Sequence, residues 1–373
     1  MRIALLKMRS NSQGGLEKYA SRIASGFAKK GADLTFLTTQ MPAHHSPGIE
    51  YCAFPVCRWP GFLRLEQFDR CVSRWLKANP VDIVFGMERN RIQTHIRAGN
   101  GVHAAYLKSR LASEGSLKYG LCLINPLHRK ILELEKSAFE SPGLKRIFVN
   151  SRMVQTELLE HYAVEPSKIE VVHNGVEWTE HASSFLNWEK GKSEALRKFG
   201  LNPNDLHLLF MGHGYLRKGL DQLLKALSIW KFRDFHLSVV GKDRQIDRYR
   251  KKAEQLGLNG RVSFFGPQKE VVPFYLMADA LVIPSFYDPF ANVTLEALSF
   301  GVYVVSSKTN GGHEILTEKN GTVIENLTSP ESIVAALENC LKFRKTALSA
   351  EKIRNSVSHL DFSNQLSKLI DAC

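Results

Sequence analysis

Two carboxylates, Asp288 and Glu296, stand eight positions apart in the run Asp288-Pro-Phe-Ala-Asn-Val-Thr-Leu-Glu296. The apolar segment Ala280–Pro284 before them reads as a strand and Asn292–Phe300 as a helix, so the order is strand, loop, helix. In an open α/β sheet that order places Asp288 in the crevice at the carboxyl edge of a strand. Glu296 falls about one turn inside the helix, within reach of a ligand held at the helix N-terminus. One acid facing a reacting sugar and a second gripping a ribose diol is an arrangement suited to a nucleotide sugar. Each acid taken alone is better read as a helix-capping acid or an exposed helix acid. The reading rests on what else converges on the same edge.

Two further features, each at the carboxyl end of a strand, converge on the same crevice. Ser12-Gln-Gly14-Gly15-Leu-Glu-Lys18 joins the first strand to the first helix; its glycines let the backbone approach a phosphate at the helix N-terminus, or form a turn with no ligand. Met211-Gly-His-Gly-Tyr-Leu-Arg217-Lys218-Gly219 ends another strand and brings two cations to a helix start, where one can pair with a diphosphate. Neighbouring side chains point apart, so only one of the two is expected to face the ligand, and Lys218 is preferred to Arg217. His103, after the turn Asn100-Gly101, is either a satisfied loop histidine or a contact to sugar hydroxyls. The chain has no Asp-x-Asp, the usual way to hold a diphosphate through Mg²⁺. Lysine, arginine and helix N-termini take that role in this reading, and no metal or other cofactor is expected.

The elements that must position these residues alternate strand and helix throughout, which predicts a doubly wound α/β protein. In the first half the strands are Ile3–Lys7, Leu34–Thr38, Ile83–Gly86, Ile147–Asn150 and Ile169–His173, with helices over Leu16–Lys30 and 151–163. Asn174-Gly175 closes that half, and the mixed polarity of 176–195 reads as a linker. The second half runs through strands Leu206–Met211, Phe235–Val240, Val262–Phe265, Ala280–Pro284 and Tyr303–Ser306, with helices over Gly219–Trp230, Arg248–Leu256, Val271–Ala278 and Asn292–Phe300. A helical tail follows from 330. Two such halves imply two domains, with ligands expected in a cleft between them.

A chain of 373 residues, 44% hydrophobic, has room for two full cores. Met1–Lys7 is too short and too charged for a signal peptide, and no run of eighteen apolar residues is present to span a membrane. The six cysteines form no CxxC pair and read as reduced thiols. Residues 1–170 hold 25 Lys/Arg against 15 Asp/Glu, and residues 171–373 hold 25 against 22, so the excess positive charge sits in the first half. That bias suits an anionic partner: nucleic acid, an acidic membrane surface or a phosphorylated acceptor. Leu107–Leu132 concentrates it, with Lys108, Arg110, Lys118, Arg129 and Lys130 against Glu114 among interleaved apolar residues, as a segment lying on lipid headgroups or as a solvated basic loop. A nucleic-acid-binding protein would not need the crevice carboxylates, and no clustered aromatic platform supports one.

Gly14-Gly15, Asn150-Ser151, Asn174-Gly-Val176, Lys218-Gly219 and Glu296-Ala-Leu298 together resemble the retaining glycosyltransferases of family 4, over nearly the whole chain. Within that family, Arg97-Ala-Gly-Asn-Gly-Val-His103 and Asn125-Pro-Leu-His-Arg129 with Glu133 and Glu135 are similar to the lipopolysaccharide-core glucosyltransferases. The resemblance implies a GT-B fold: two Rossmann-like doubly wound domains facing a central cleft. It assigns 1–175 to an acceptor-binding domain, 176–195 to a linker and 196–355 to a nucleotide-sugar domain, with a final helix in 356–373 crossing back to the first domain. Glu296 would bind the ribose, Lys218 and Arg217 the diphosphate, Gly14 and Gly15 would cover the phosphates, and the Asn292 and Val293 amides would assist. The base would lie near Phe265-Gly266-Pro267, and Asp288 near the transferred sugar. The implied reaction moves a hexose, glucose from UDP-glucose, to a heptose of a lipid-anchored core, on the cytoplasmic face of the inner membrane. GDP-mannose, UDP-galactose or UDP-N-acetylglucosamine with a capsule or O-antigen acceptor is the alternative. Asp288 is a methylene shorter than the family's Glu, and His213 and Ala291 stand where many members have Arg and Gly.

Overall fold

The computed structural model describes residues 1–8, 15–42 and 46–373. The chain forms two units, Met1–His173 with Ser363–Cys373, and Asn174–Phe362.

The sheet of the first unit is built from β1 (Arg2–Leu6), β2 (Asp33–Thr38), β3 (Ile49–Ala53), β4 (Ile83–Gly86), β5 (His95–Arg97), β6 (Arg146–Val149) and β7 (Ile169–Val171). The strands lie in the order β3-β2-β1-β4-β5-β6-β7 and every pairing is parallel. Helices cover both faces of such a sheet, which is why its inner strands are apolar without alternation. The helix Gly15–Lys29 sets Ala20, Ile23, Ala24 and Phe27 on it at helical spacing, and Leu369 and Ile370 from the helix Phe362–Asp371 complete the same core.

The second unit repeats the plan with β8 (Leu206–Met211), β9 (Phe235–Val240), β10 (Val262–Gly266), β11 (Ala280–Ile283), β12 (Tyr303–Ser307) and β13 (Gly321–Ile324), in the parallel order β10-β9-β8-β11-β12-β13. All six residues of β8 and of β9 are buried. Each sheet changes direction of winding once, between β1 and β4 and between β8 and β11. The crevice at the carboxyl ends of such a strand pair is where ligands of this architecture sit.

The ten expected strands are present to within two residues, and three others went unread. β5, His95-Ile-Arg97, is polar yet buried; Arg97 sustains it by donating from its guanidinium to the carbonyls of Val149 (3.3 Å) and Val172 (2.8 Å). β3 is a half-exposed edge, and β13 is four residues long and opens on glycine. The supposed linker over 176–195 is corrected: it folds into the second unit. The Val176 amide donates to Leu360 O (3.0 Å), and the helices Ala182–Leu186 and Trp188–Phe199 follow. Trp188, Ala195 and Leu196 enter the second core, an apolar face seven to eight residues apart that charged neighbours hide in the sequence.

Candidate functional site

β8 runs into the turn 212–219, and β11 into the loop that carries Asp288. Gly219 joins the two. Its φ of 77° is left-handed, and a Cβ there would stand 1.8 Å from the Pro284 carbonyl oxygen. Only glycine lets this turn lie against the chain leaving β11. The Phe286 amide then donates to Arg217 O (2.9 Å), and the Lys218 amide to Gly214 O (3.1 Å), which winds the turn helically. Winding corrects the expectation that the two cations diverge. Lys218 Nζ donates to Asp288 Oδ2 at 2.6 Å, and Arg217 Nη1 reaches the same oxygen at 3.1 Å and Tyr287 O at 2.7 Å.

Lys218 and Asp288 are 7% and 8% exposed, so this is a buried ion pair with a half-exposed second cation. Burial alone would raise the Asp288 carboxyl, but Lys218 and Arg217 outweigh it and hold the group below its ordinary value. The carboxylate is therefore ionised, and the triad carries one net positive charge. Asp288 Oδ1 accepts from the Phe290 amide (3.2 Å). Its backbone is tied to the loop after β12, the Asp288 amide donating to Thr309 O and the Gly311 amide to Asp288 O, each at 2.9 Å.

The helix Asn292–Ser299 starts beside this point. Amides in the first turn of a helix have no intrahelical acceptor, which leaves those of Asn292 and Val293 able to receive an anion. The Asn292 side chain is exposed, and its Oδ1 accepts from Asn174 Nδ2 at 2.7 Å. Asn310 fixes the helix entrance: fully buried, its Oδ1 accepts from the amides of Ala291 (2.9 Å) and Gly312 (3.1 Å), and its Nδ2 donates to Ser306 Oγ (2.9 Å). Asn310 is not among the residues that the sequence pattern singles out. The available signal was Asn310-Gly311-Gly312 directly after β12, at the same carboxyl edge as the other loops. Half-buried Glu296 accepts at Oε2 from the Tyr275 hydroxyl at 2.5 Å. Gly266 closes β10 with φ 67° and open space where a Cβ would be, and its carbonyl accepts from the Gly241 amide (2.9 Å). Exposed His213 accepts at Nδ1 from the Lys242 amide (2.8 Å).

The other predicted residues belong to the first unit. Gly14 lies outside the described residues, and Gly15 opens the helix Gly15–Lys29. His103 is the first residue of the helix His103–Glu114, its amide donating to Glu135 Oε1 (2.9 Å) and Oε2 (3.0 Å) and its Nε2 meeting His128 Nδ1 (3.0 Å). Burial, then the charges of Arg89, His128 and Arg110, push its pKa down to about 3, so the ring is neutral. Fully buried Glu135 also accepts from Arg89 Nε and the Tyr162 hydroxyl, both at 2.6 Å. On the helix Ser116–Ile124, Leu117, Leu121 and Ile124 are exposed beside Lys118. Among the described residues no helix is long and apolar enough to cross a membrane. The second unit thus gathers Lys218, Arg217 and Asp288 at one point and Asn292, Val293 and Glu296 on one helix.

Residues 13–179 match the family model described as Glycosyltransferase Family 4, and residues 191–356 the model described as Glycosyl transferases group 1. The chain is 25% identical over 332 residues to the lipopolysaccharide glucosyltransferase WaaG of Escherichia coli K12, covering 88% of this chain and 86% of that protein. It is also 25% identical over 359 residues to a D-inositol 3-phosphate glycosyltransferase of Paenarthrobacter aurescens, covering 87% and 84%. The crystal structure of WaaG superposes with a TM-score of 0.80 at 23% identity over 99% of both chains, so the fold is GT-B with two Rossmann-like domains. Anabaena Alr3699/HepE in complex with UDP-glucose gives a TM-score of 0.69 at 17% identity over 100% of both.

Proposed function

The chain belongs to the family 4 glycosyltransferases, and on that premise we propose that it moves glucose from UDP-glucose, with retention of configuration, onto a heptose of a lipid-anchored lipopolysaccharide core. The observation that carries this reading is the meeting of Lys218 and Arg217 on buried Asp288, beside the N-terminus of the helix that bears Glu296. Glu296 receives the ribose hydroxyls. The cations and the amides of Asn292 and Val293 receive the diphosphate, with the base near Gly266. Positive charge supplied in this way serves in place of a metal ion.

Retention allows a covalent sugar intermediate or attack on the face from which the diphosphate leaves. Asp288 is a poor nucleophile: one oxygen is shared by two cations and the other accepts a backbone amide. Front-face attack is therefore favoured. The acceptor oxygen bonds to the anomeric carbon as the carbon–oxygen bond to the diphosphate breaks, and the acceptor proton passes to the departing phosphate oxygen. Lys218, Arg217 and the helix N-terminus stabilise the charge that develops there. Neutral His103 serves as a hydrogen-bonding partner for sugar hydroxyls.

The WaaG relative supports the lipopolysaccharide acceptor. The exposed Leu117, Leu121 and Ile124 among Lys108, Lys118 and Arg129 support peripheral attachment to an anionic membrane, on the cytoplasmic face of the inner membrane. A panel of UDP-glucose, UDP-galactose, UDP-N-acetylglucosamine and GDP-mannose, scored for thermal stabilisation and slow hydrolysis in EDTA, tests the donor. Stabilisation and hydrolysis confined to UDP-glucose are expected; preference for another donor, or a need for divalent metal, overturns this assignment.

A further inference from the structure

We propose that Tyr275 is a positioning residue for the donor: its hydroxyl holds the Glu296 carboxylate in the orientation that receives the ribose hydroxyls. The inference rests on the reading of Glu296 as the ribose anchor and adds a residue that the sequence motifs do not point to. Tyr275 lies on the short helix Val272–Met277, before β11, and donates to Glu296 Oε2 at 2.5 Å. It is 1% exposed, and both ends of the residue are fixed. Its ring stacks on Phe300 with centroids 5.5 Å apart and planes within 7°. Its carbonyl and that of Leu276 accept from Lys345 Nζ at 3.1 and 3.2 Å. Lys345 is itself 7% exposed and lies over the Trp188 ring at 4.8 Å.

Stacking and backbone contacts so arranged fix the position of the hydroxyl oxygen. A carboxylate on a half-buried glutamate with three side-chain torsions has other rotamers to offer, and each alternative costs ribose binding. Preorganising the acceptor of a diol is what a locked donor behind it accomplishes. Burial, and then the negative charge of Glu296, raise the Tyr275 phenol well above its ordinary value, so it remains a donor throughout the working pH range. Met211 Sδ, 3.1 Å from the same oxygen, is a weak acceptor and does not compete with a carboxylate.

Tyr275→Phe removes the hydroxyl and keeps the stacked ring. The experiment is a calorimetric titration of wild type, Tyr275→Phe, Glu296→Gln and the double variant with UDP and with its 2′,3′-dideoxy analogue. A hydrogen bond to a charged group corresponds to roughly tenfold or more in affinity. Tyr275→Phe is therefore expected to weaken UDP about tenfold, leave the dideoxy analogue unchanged, and add nothing once Glu296 is glutamine. In turnover, KM for the donor rises while kcat changes less. Equal weakening of UDP and the dideoxy analogue would mean that Tyr275 only supports the fold, and unchanged UDP affinity would mean that it does nothing; either overturns the inference while Glu296 stands. Glu296→Gln without effect on UDP instead removes the ribose reading itself, and the inference with it. Glu296→Asp, which draws the carboxylate back from the hydroxyl, provides a second route and is expected to mimic Tyr275→Phe.

Discussion

Replacing Lys218 by methionine leaves Asp288 buried with one remaining cation, and the consequence follows from the geometry. Lys218 Nζ stands 2.6 Å from Asp288 Oδ2, while Arg217 is more exposed and holds the same oxygen at 3.1 Å. Removing one partner of a buried pair costs about 3–5 kcal/mol, and the surviving arginine places this case near about 3 kcal/mol. For a unit spanning Asn174–Phe362 that is a fall in melting temperature of roughly 6–12 °C. Adding Asp288→Asn removes the stranded charge and should restore most of the loss, to within about 3 °C. Turnover should fall roughly 10²–10³-fold in Lys218→Met, as for loss of one transition-state donor, and should not return in the double variant. The pH dependence has a definite sign. In the wild type the folded Asp288 carboxyl lies below its unfolded value, so its contribution is present above the unfolded pKa and is lost as pH falls through the folded one. In Lys218→Met burial dominates and the folded carboxyl rises, so acidification relieves the penalty and the two melting curves converge. Differential scanning fluorimetry between pH 4 and 8, with donor turnover at pH 7, measures all of this. A single variant melting within about 1 °C of wild type, or a double variant no more stable than the single, would refute a buried pair at this site.

Gly219→Ala should lower the melting temperature by at least roughly 5 °C and cut turnover, since its Cβ would meet Pro284 O at 1.8 Å and displace Lys218; wild-type melting and activity would show that the turn is not so constrained. Burial pushes His95 and His207 down to about 4 and His103 to about 3. These depressed groups bind fewer protons folded than unfolded, so stability is full above about pH 6.5 and declines as pH falls toward 4, by up to about 1.4 kcal/mol per histidine per pH unit. Thermal melting against pH checks this, and His103→Asn should flatten the slope. Binding to anionic vesicles should weaken as salt rises and fall further in Leu117→Asp/Ile124→Asp; sedimentation that ignores both salt and substitution would exclude this surface as the membrane contact.

Much of the fold is legible in the sequence because a parallel sheet covered on both faces needs unbroken apolar strands, and β8 and β9 are read to the residue. β5 is invisible to that rule, because His95 and Arg97 are buried by hydrogen bonds that only the assembled sheet supplies. The linker expectation failed for a related reason: Trp188 and Leu196 face one core, but the charges between them mask the period. At the candidate site, the expected strand–loop–helix order placed Asp288 after a strand and Glu296 inside the following helix, where the structure has them. How they interact was out of reach. The convergence of Arg217 and Lys218 depends on the wound turn at Gly219, and the contacts of Asn310 with the Ala291 amide and of Tyr275 with the Glu296 carboxylate join segments well separated in the chain.

The central claim, that this chain transfers glucose with retention, is tested most directly by incubating it with UDP-glucose and a lipopolysaccharide core truncated after heptose, in EDTA, and determining the anomeric configuration of the product by NMR. Acceptor-dependent release of UDP with an α-linked glucose on the heptose is the predicted result. A β-linked product would contradict retention, and no transfer from UDP-glucose to this acceptor would contradict the assigned reaction.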